Sequence, residues 1–384
     1  MTTTDAAGNA IYNTTDLTEG VIIDIDPMIQ MLSPTDLPLL NGVGSDGRSV
    51  IAKGTCFEKK VEWQDDELLL PRSTLGAAVG TTTATVVQVA AGHRLRFQTG
   101  DVLLINDEMV RVTGYSSTAN QLNVTRGFGG TTAATQSSGD VILNLGAHLS
   151  EGSDPPDARH TDWTNRYNIT QIFGPTAVHL SETENTVRKY GLEGTTRFDY
   201  EASKRFKEMM IQVEQALVYG TRYEDTSNAI RQMGGATYFM TSNVDASTTN
   251  FSGTTGEGAF LDQLQACYTA GGMPDRAMMN EVNKRKVSGW ASADIRLGRA
   301  DNGRGQIVEY YISDFGRIDF VLNRWLRTED ILIYGRDQFM MKTLRGFQFQ
   351  MLAKTGDSRR GMLVGEVTCQ FKGAPHAARF SAIA

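Results

Sequence analysis

Cysteine is scarce: Cys56, Cys267 and Cys369 are the only three in 384 residues, and they form neither a CxxC pair nor a Cys/His cluster. That excludes a disulfide framework or a cysteine-based zinc site, and predicts reduced, mostly buried thiols of a cytosolic product. Long hydrophobic runs are absent as well. No apolar stretch approaches the roughly 18 residues of a membrane-spanning helix. The opening "MTTTDAAGNAIYN" has no basic segment leading into an apolar one, so neither an export signal nor a membrane span is expected. Basic residues are outnumbered, 37 Lys and Arg against 44 Asp and Glu, for a formal net charge of −7. Tight sequence-independent binding of nucleic acid needs a basic surface that displaces counterions, so any contact with DNA is expected to be loose or local.

The signatures of catalysis are missing too. There is no GxSxG elbow and no HExxH, and His93, His148, His160, His179 and His376 are scattered. The stretch "TRGFGGTTAA", Thr125 to Ala134, follows an alternating apolar run and invites comparison with a dinucleotide fingerprint. Gly127 and Gly129 fit that pattern, but Thr132 stands where the third glycine belongs, and the residues that follow offer no apolar helical face to receive a pyrophosphate. A Walker-type Lys-Ser/Thr pair is missing too. The stretch is therefore a glycine-rich connection between two strands, with Arg126 and Phe128 at its tip as a contact or as a lid on a small core. The acidic runs "WQDDE" and "EGSDPPDARHTDW" could offer oxygen ligands, with His160, to a hard cation. Neither has EF-hand spacing. Solvated loops that make ion pairs between subunits outweigh a metal site there, and no cofactor or metal is expected. "VLNRWLRTED" fits a strand end as well as a stacking surface, and the net charge favours the strand.

What is present is a chain long enough for two or three domains, with 40% apolar and 21% charged residues. Residues 1 to about 50 are rich in Thr, Asp, Gly and Pro with one apolar island, "VIIDIDPMIQML", and are expected to lie on something else. Between 77 and 145, short Val/Leu/Ile-rich runs separated by Gly, Asn, Asp and Ser predict a small all-β module, with a hairpin around Asn106 and Asp107 and with Val110 and Val112 on one face. Its flanks make it look like an insertion. From about 183 the period changes. Phe198, Ala202, Phe206, Met209, Met210, Val213 and Leu217 recur at spacings of three and four, Lys204, Lys207, Glu208 and Glu214 fall largely elsewhere, and Gly220 stops the helix. A second helix is predicted from about Gly258 to Thr269, then a strand "DRAMMN" and a third helix "EVNKRKVSGWA". Six strands follow: "GQIVEYYIS", "GRIDFVLNRWL", "DILIYG", "FMMKTLR", "FQFQMLA" and "MLVGEVTCQF". Helices set among strands without a regular βα repeat indicate an α+β fold.

The order of these segments resembles the major capsid protein of tailed bacteriophages, the Hong Kong-type or Johnson fold. In wording, "NITQIFGPTAVHLSETENTVRKYG", the helix ending "EQALVYGTR", "YYISDFGRIDFVLNRWL" and "LRGFQFQMLAKTGDSRRGMLVGEVTCQF" resemble the branch typified by the SU-type phage major head proteins, over about residues 50 to 380. The resemblance implies an N-terminal arm at 1–50, an extended loop at 51–182 carrying the inserted module at about 77–145, and a peripheral domain with a spine helix at 183–224. It further implies a mainly axial domain at 225–345 and C-terminal peripheral strands at 346–384. The implied function is structural: pentamers and hexamers of this one chain closing an icosahedral capsid around double-stranded DNA, assembled in the host bacterial cytoplasm. A separate scaffolding protein, a portal and in some relatives a decoration protein are the implied partners, with no membrane. Candidate intersubunit contacts are Trp63, Asp65, Asp66, Glu67, Arg126, Phe128, Asp157, Arg159, Trp163, Arg359 and Arg360. Two other classes stay open on residues alone: a tail, baseplate or adhesin subunit with a β binding module, and a hydrolase with a dispersed active site.

Overall fold

A computed structural model describes residues 3–4, 10–11, 32–44, 47–148, 151–152, 163–187, 195–247, 250–290, 309–354 and 356–383. The chain divides into two compact units, one formed by Met1–Trp63 with Tyr167–Ala384, the other by Gln64–Arg166.

In the first unit the longest helix runs Arg197–Tyr219. Thr196 caps it, its hydroxyl accepting from Asp199 N–H, and the Arg197–Glu201 pair at 2.9 Å bridges its first turn. Its buried stripe is Phe198, Met209, Val213 and Leu217 with Val218. Phe206, placed on the apolar face by spacing, is 39% exposed, and Glu214, placed off it, is buried. The helix packs on a four-stranded sheet whose order is Gln171–Ser181, Ser358–Phe371, Phe339–Met351 and Ala52–Thr55. The first three are antiparallel and Ala52–Thr55 joins in parallel. Where the sequence suggests two strands, Phe339–Met351 is one, with register shifts on either side of Arg345 that absorb the break in alternation. Leu39, Leu40, Val50 and Ile51 belong to the same core, so the end of the expected arm is built into its own subunit.

A second core in this unit gathers Phe251, Phe260, Trp290, Tyr311 and Phe380, with ring centroids 5.2 to 6.4 Å apart. It lies on a mixed sheet ordered Val244–Asp245, Ala378–Phe380, Ile331–Tyr334, Arg276–Met279, Gly316–Leu322, Tyr310–Ser313. Arg276–Met279 is buried at every position, as a strand covered on both faces must be. The helices are Gly253–Thr269 and Glu281–Ser288. The first starts five residues before the sequence suggests, because three glycines disguise its opening turns. Gly256 is required there: a Cβ on it would stand 2.3 Å from the Phe251 carbonyl carbon. Gly256→Ala is therefore expected to destabilise this unit by about 1–3 kcal/mol, as overpacking does, measured as a lower midpoint in urea. An unchanged midpoint would show that the helix start can shift freely.

Among its described residues the Gln64–Arg166 unit is built of strands, with short 3-10 turns at Arg94–Arg96 and Phe128–Gly130 and no α-helix. Its antiparallel sheet has the order Arg72–Thr74, Val141–Ala147, Asp101–Ile105, Glu108–Tyr115, Gln121–Thr125, Val86–Gln88. The outermost strands also meet: Leu75 bridges Val89, Gly76 N–H donates to Gln88 O, and Ala90 N–H donates to Thr74 O, each bond 2.9 Å. The sheet thus closes into a six-stranded barrel, which removes its free edges. Inside are Leu75, Val87, Val89, Phe97, Leu103, Ile105, Val110, Val112, Leu122, Val124 and Ile142. The hairpin at Asn106–Asp107 turns through Asn106 at φ 52°, a conformation asparagine tolerates.

Candidate assembly surface

The glycine-rich stretch does cradle an anion, and the anion is the chain's own. Arg126 donates from Nε and Nη2 to the two carboxylate oxygens of Glu108, each at 2.6 Å. Gly127 N–H reaches Oε1 and Ala134 N–H reaches Oε2, both at 3.1 Å. Gly127, Gly129 and Gly130 all have positive φ, the backbone freedom that lets the chain wrap the carboxylate. Burial alone would raise the Glu108 pKa. The hydrogen bonds from Arg126, Ala134 and Gly127 override it and bring the group down to about 2. With its inward N–H groups bonded to Glu108, this loop offers none of them to a nucleotide phosphate.

Two of the residues marked as contacts by sequence are turned inward, and both are corrections. Arg126 is a buried structural partner of Glu108, not a tip residue. Trp63 is 7% exposed and packs edge-on to Phe239 at 5.4 Å, because Val61 and Trp63 are the inward residues of the alternating strand Lys60–Asp65. Phe128 is half-buried, edge-on to His148 at 5.8 Å with Arg111 over its face. Asp65 accepts from Arg166 Nε at 2.7 Å. Asp66, Glu67 and Trp163 are exposed. Arg359 is half-buried, 3.6 Å from Glu182 and over the Phe198 ring, and the exposed Arg360 donates to His179 Nε2 at 3.1 Å. Asp157 and Arg159 lie outside the described residues.

Glu214 carries no signal in the sequence. Its Oε1 accepts from Leu39 N–H at 3.1 Å and Asn323 Nδ2 at 2.8 Å, while Oε2 is buried without a hydrogen-bond partner. Burial raises its pKa to about 7, against the pull of the Leu39, Asn323 and Leu40 hydrogen bonds. This carboxyl ties the short helix Pro38–Asn41 to the long helix and to the end of Gly316–Leu322.

Among the described residues no group of three or more His, Cys, Asp or Glu is placed to hold a metal. No described helix is long and apolar enough to cross a membrane. All three cysteines are buried and free, and burial pushes the Cys267 thiol up to about 12.

A model of the SU10 major capsid protein family matches residues 2–384. No curated protein matches the chain. Among solved structures, the chain is similar to the capsid of a native GTA particle, with a TM-score of 0.51 and 9% identity over 97% of this chain and 100% of that one. It is similar to the capsid of an empty GTA particle at a TM-score of 0.50, with the same identity and coverage. The capsid of the Myoviridae phage XM1 gives 0.48 and 10% identity over 94% of this chain and 99% of that one. With its sequence matched from residue 2 to residue 384 and its fold shared with the GTA capsid, the chain belongs to the SU10 major capsid protein family and is a structural subunit of the virion capsid, not an enzyme.

Proposed function

We propose that copies of this chain form pentamers and hexamers that close an icosahedral shell around double-stranded DNA. The observation that carries this is the family match along residues 2–384, which includes the arm, the inserted unit and both cores. One polypeptide closing such a shell needs large interfaces built from burial and many weak polar contacts. The net charge of −7 suits an inner wall that touches DNA loosely, so that packaging and release are not impeded. In this assignment residues 1–50 are the arm, 51–182 the extended loop with its module, 183–224 and 346–384 the peripheral domain, and 225–345 mainly the axial domain. Because Leu39 and Leu40 are core residues, the length available to reach a neighbour lies before Leu37. A separate scaffolding protein, a portal and a decoration protein complete the set of proposed partners.

Image averaging of purified particles tests this. Five-fold and six-fold clusters of the one chain, with DNA inside protected from nuclease, are expected; a tube or fibre of stacked rings would contradict it. In the same system, deletion of residues 1–25 is expected to leave a folded subunit that fails to close shells. A deletion variant that cannot fold would remove the arm assignment.

A further inference from the structure

We propose that the segment Asp66–Arg72, with the outward row of the strand Val141–Ala147, forms a contact between two copies of this chain related by a two-fold axis. The proposal rests on the capsid assignment above and names one of its interfaces.

The strand Val141–Ala147 sends Ile142 into the barrel and leaves Val141, Leu143 and Leu145 outside, the last 52% exposed. Beside it, Leu143 pairs with Arg72 and Asn144 N–H donates to Pro71 O at 2.9 Å, so the segment that ends at Arg72 adjoins this strand. Leu70 is 52% exposed and Leu68 80%. A single exposed leucine means little, but several exposed leucines on two adjoining segments make an apolar patch of the kind a partner covers. A bond from Leu70 N–H to Leu68 O turns the chain at Leu69 and places the two exposed leucines on either side of that bend.

Charge identifies the occupant. The segment reads "DELLLPR", acidic at one end, apolar in the middle and basic at the other. Asp66, Glu67 and Arg72 are exposed, and among the described residues none of the three forms an ion pair. A two-fold axis near Leu69 reverses the second copy, laying leucine on leucine and bringing each Arg72 to the partner's Asp66 and Glu67. Parallel side-by-side packing would set acid on acid instead. Self-complementarity of this kind is what an isologous contact requires, and a protein of a self-assembling family meets copies of itself at high local concentration.

The test is cysteine trapping in assembled particles, with the native thiols buried and silent. Leu69→Cys and, separately, Leu70→Cys are oxidised with copper phenanthroline in air and run on a non-reducing gel. Both are expected to give a dimer band, because an isologous contact brings the same position of two copies together. Thr113→Cys, exposed on another strand of the barrel, is expected to give none. Adding Arg72→Glu should abolish the band, and adding Glu67→Arg to that variant should restore it. No band in either leucine position, or a band as strong at Thr113, overturns the pairing whether or not shells form. A wild-type chain that makes no shells overturns the capsid assignment instead; the dimer band, read on whatever oligomer forms, still decides the pairing.

Discussion

Glu108→Ala will destabilise the Gln64–Arg166 unit by about 3–5 kcal/mol, because it leaves the Arg126 guanidinium buried without its partner. The same change releases the N–H groups of Gly127 and Ala134, which hold the loop closed on that carboxylate. Hydrogen exchange followed by mass spectrometry should show lost protection across 101–136 and little change in peptides from 197–219. Equal protection in variant and wild type would show that the loop stands without its anion. The pair also sets a pH limit. Glu108 has its folded pKa held down at about 2 against an ordinary 4.5, so its stabilisation is complete above pH 4.5 and fades as the pH falls toward 2.

Glu214→Gln acts in the opposite direction. The folded pKa of Glu214 is raised to about 7 from 4.5, so folding favours the neutral acid and the ionised form is penalised. That penalty is absent below pH 4.5, grows as the pH rises, and reaches roughly 3 kcal/mol above pH 7. Glutamine keeps an acceptor for Leu39 N–H and Asn323 Nδ2 and carries no charge. The variant is therefore expected to be more stable than wild type at pH 8 by up to about 3 kcal/mol, with the difference vanishing near pH 4. Thermal melts of the unassembled subunit across that range decide it. A variant equal to or weaker than wild type at pH 8 would mean that the carboxylate is stabilised where it lies.

These two carboxylates mark where the sequence stops being informative. The long helix is legible because its buried stripe repeats at three and four residues, and the barrel because its runs are short, β-branched and separated by turn residues. Glu214 follows Val213 and reads as a solvent residue. What buries it comes from Leu39, 175 positions earlier, and Asn323, 109 later. Glu108 and Arg126 look like an ordinary hairpin residue and a turn residue, and only the pairing of the neighbouring strands Glu108–Tyr115 and Gln121–Thr125 brings them together across 18 positions. Trp63 is different, since the alternation in "KVEWQD" already sends Val61 and Trp63 to one side. The acidic residues after it mask that pattern. The strand Arg72–Thr74 lies outside the module's suggested limits because "RST" has no apolar alternation and only Ser73 faces in.

The capsid assignment stands or falls on whether this polypeptide builds a shell. Sedimentation of the purified particle, with negative-stain images of the same fraction, measures that directly. Closed shells tens of nanometres across, whose protein is this chain, are expected. A discrete monomer or small oligomer, unchanged across salt and protein concentration, would contradict the assignment.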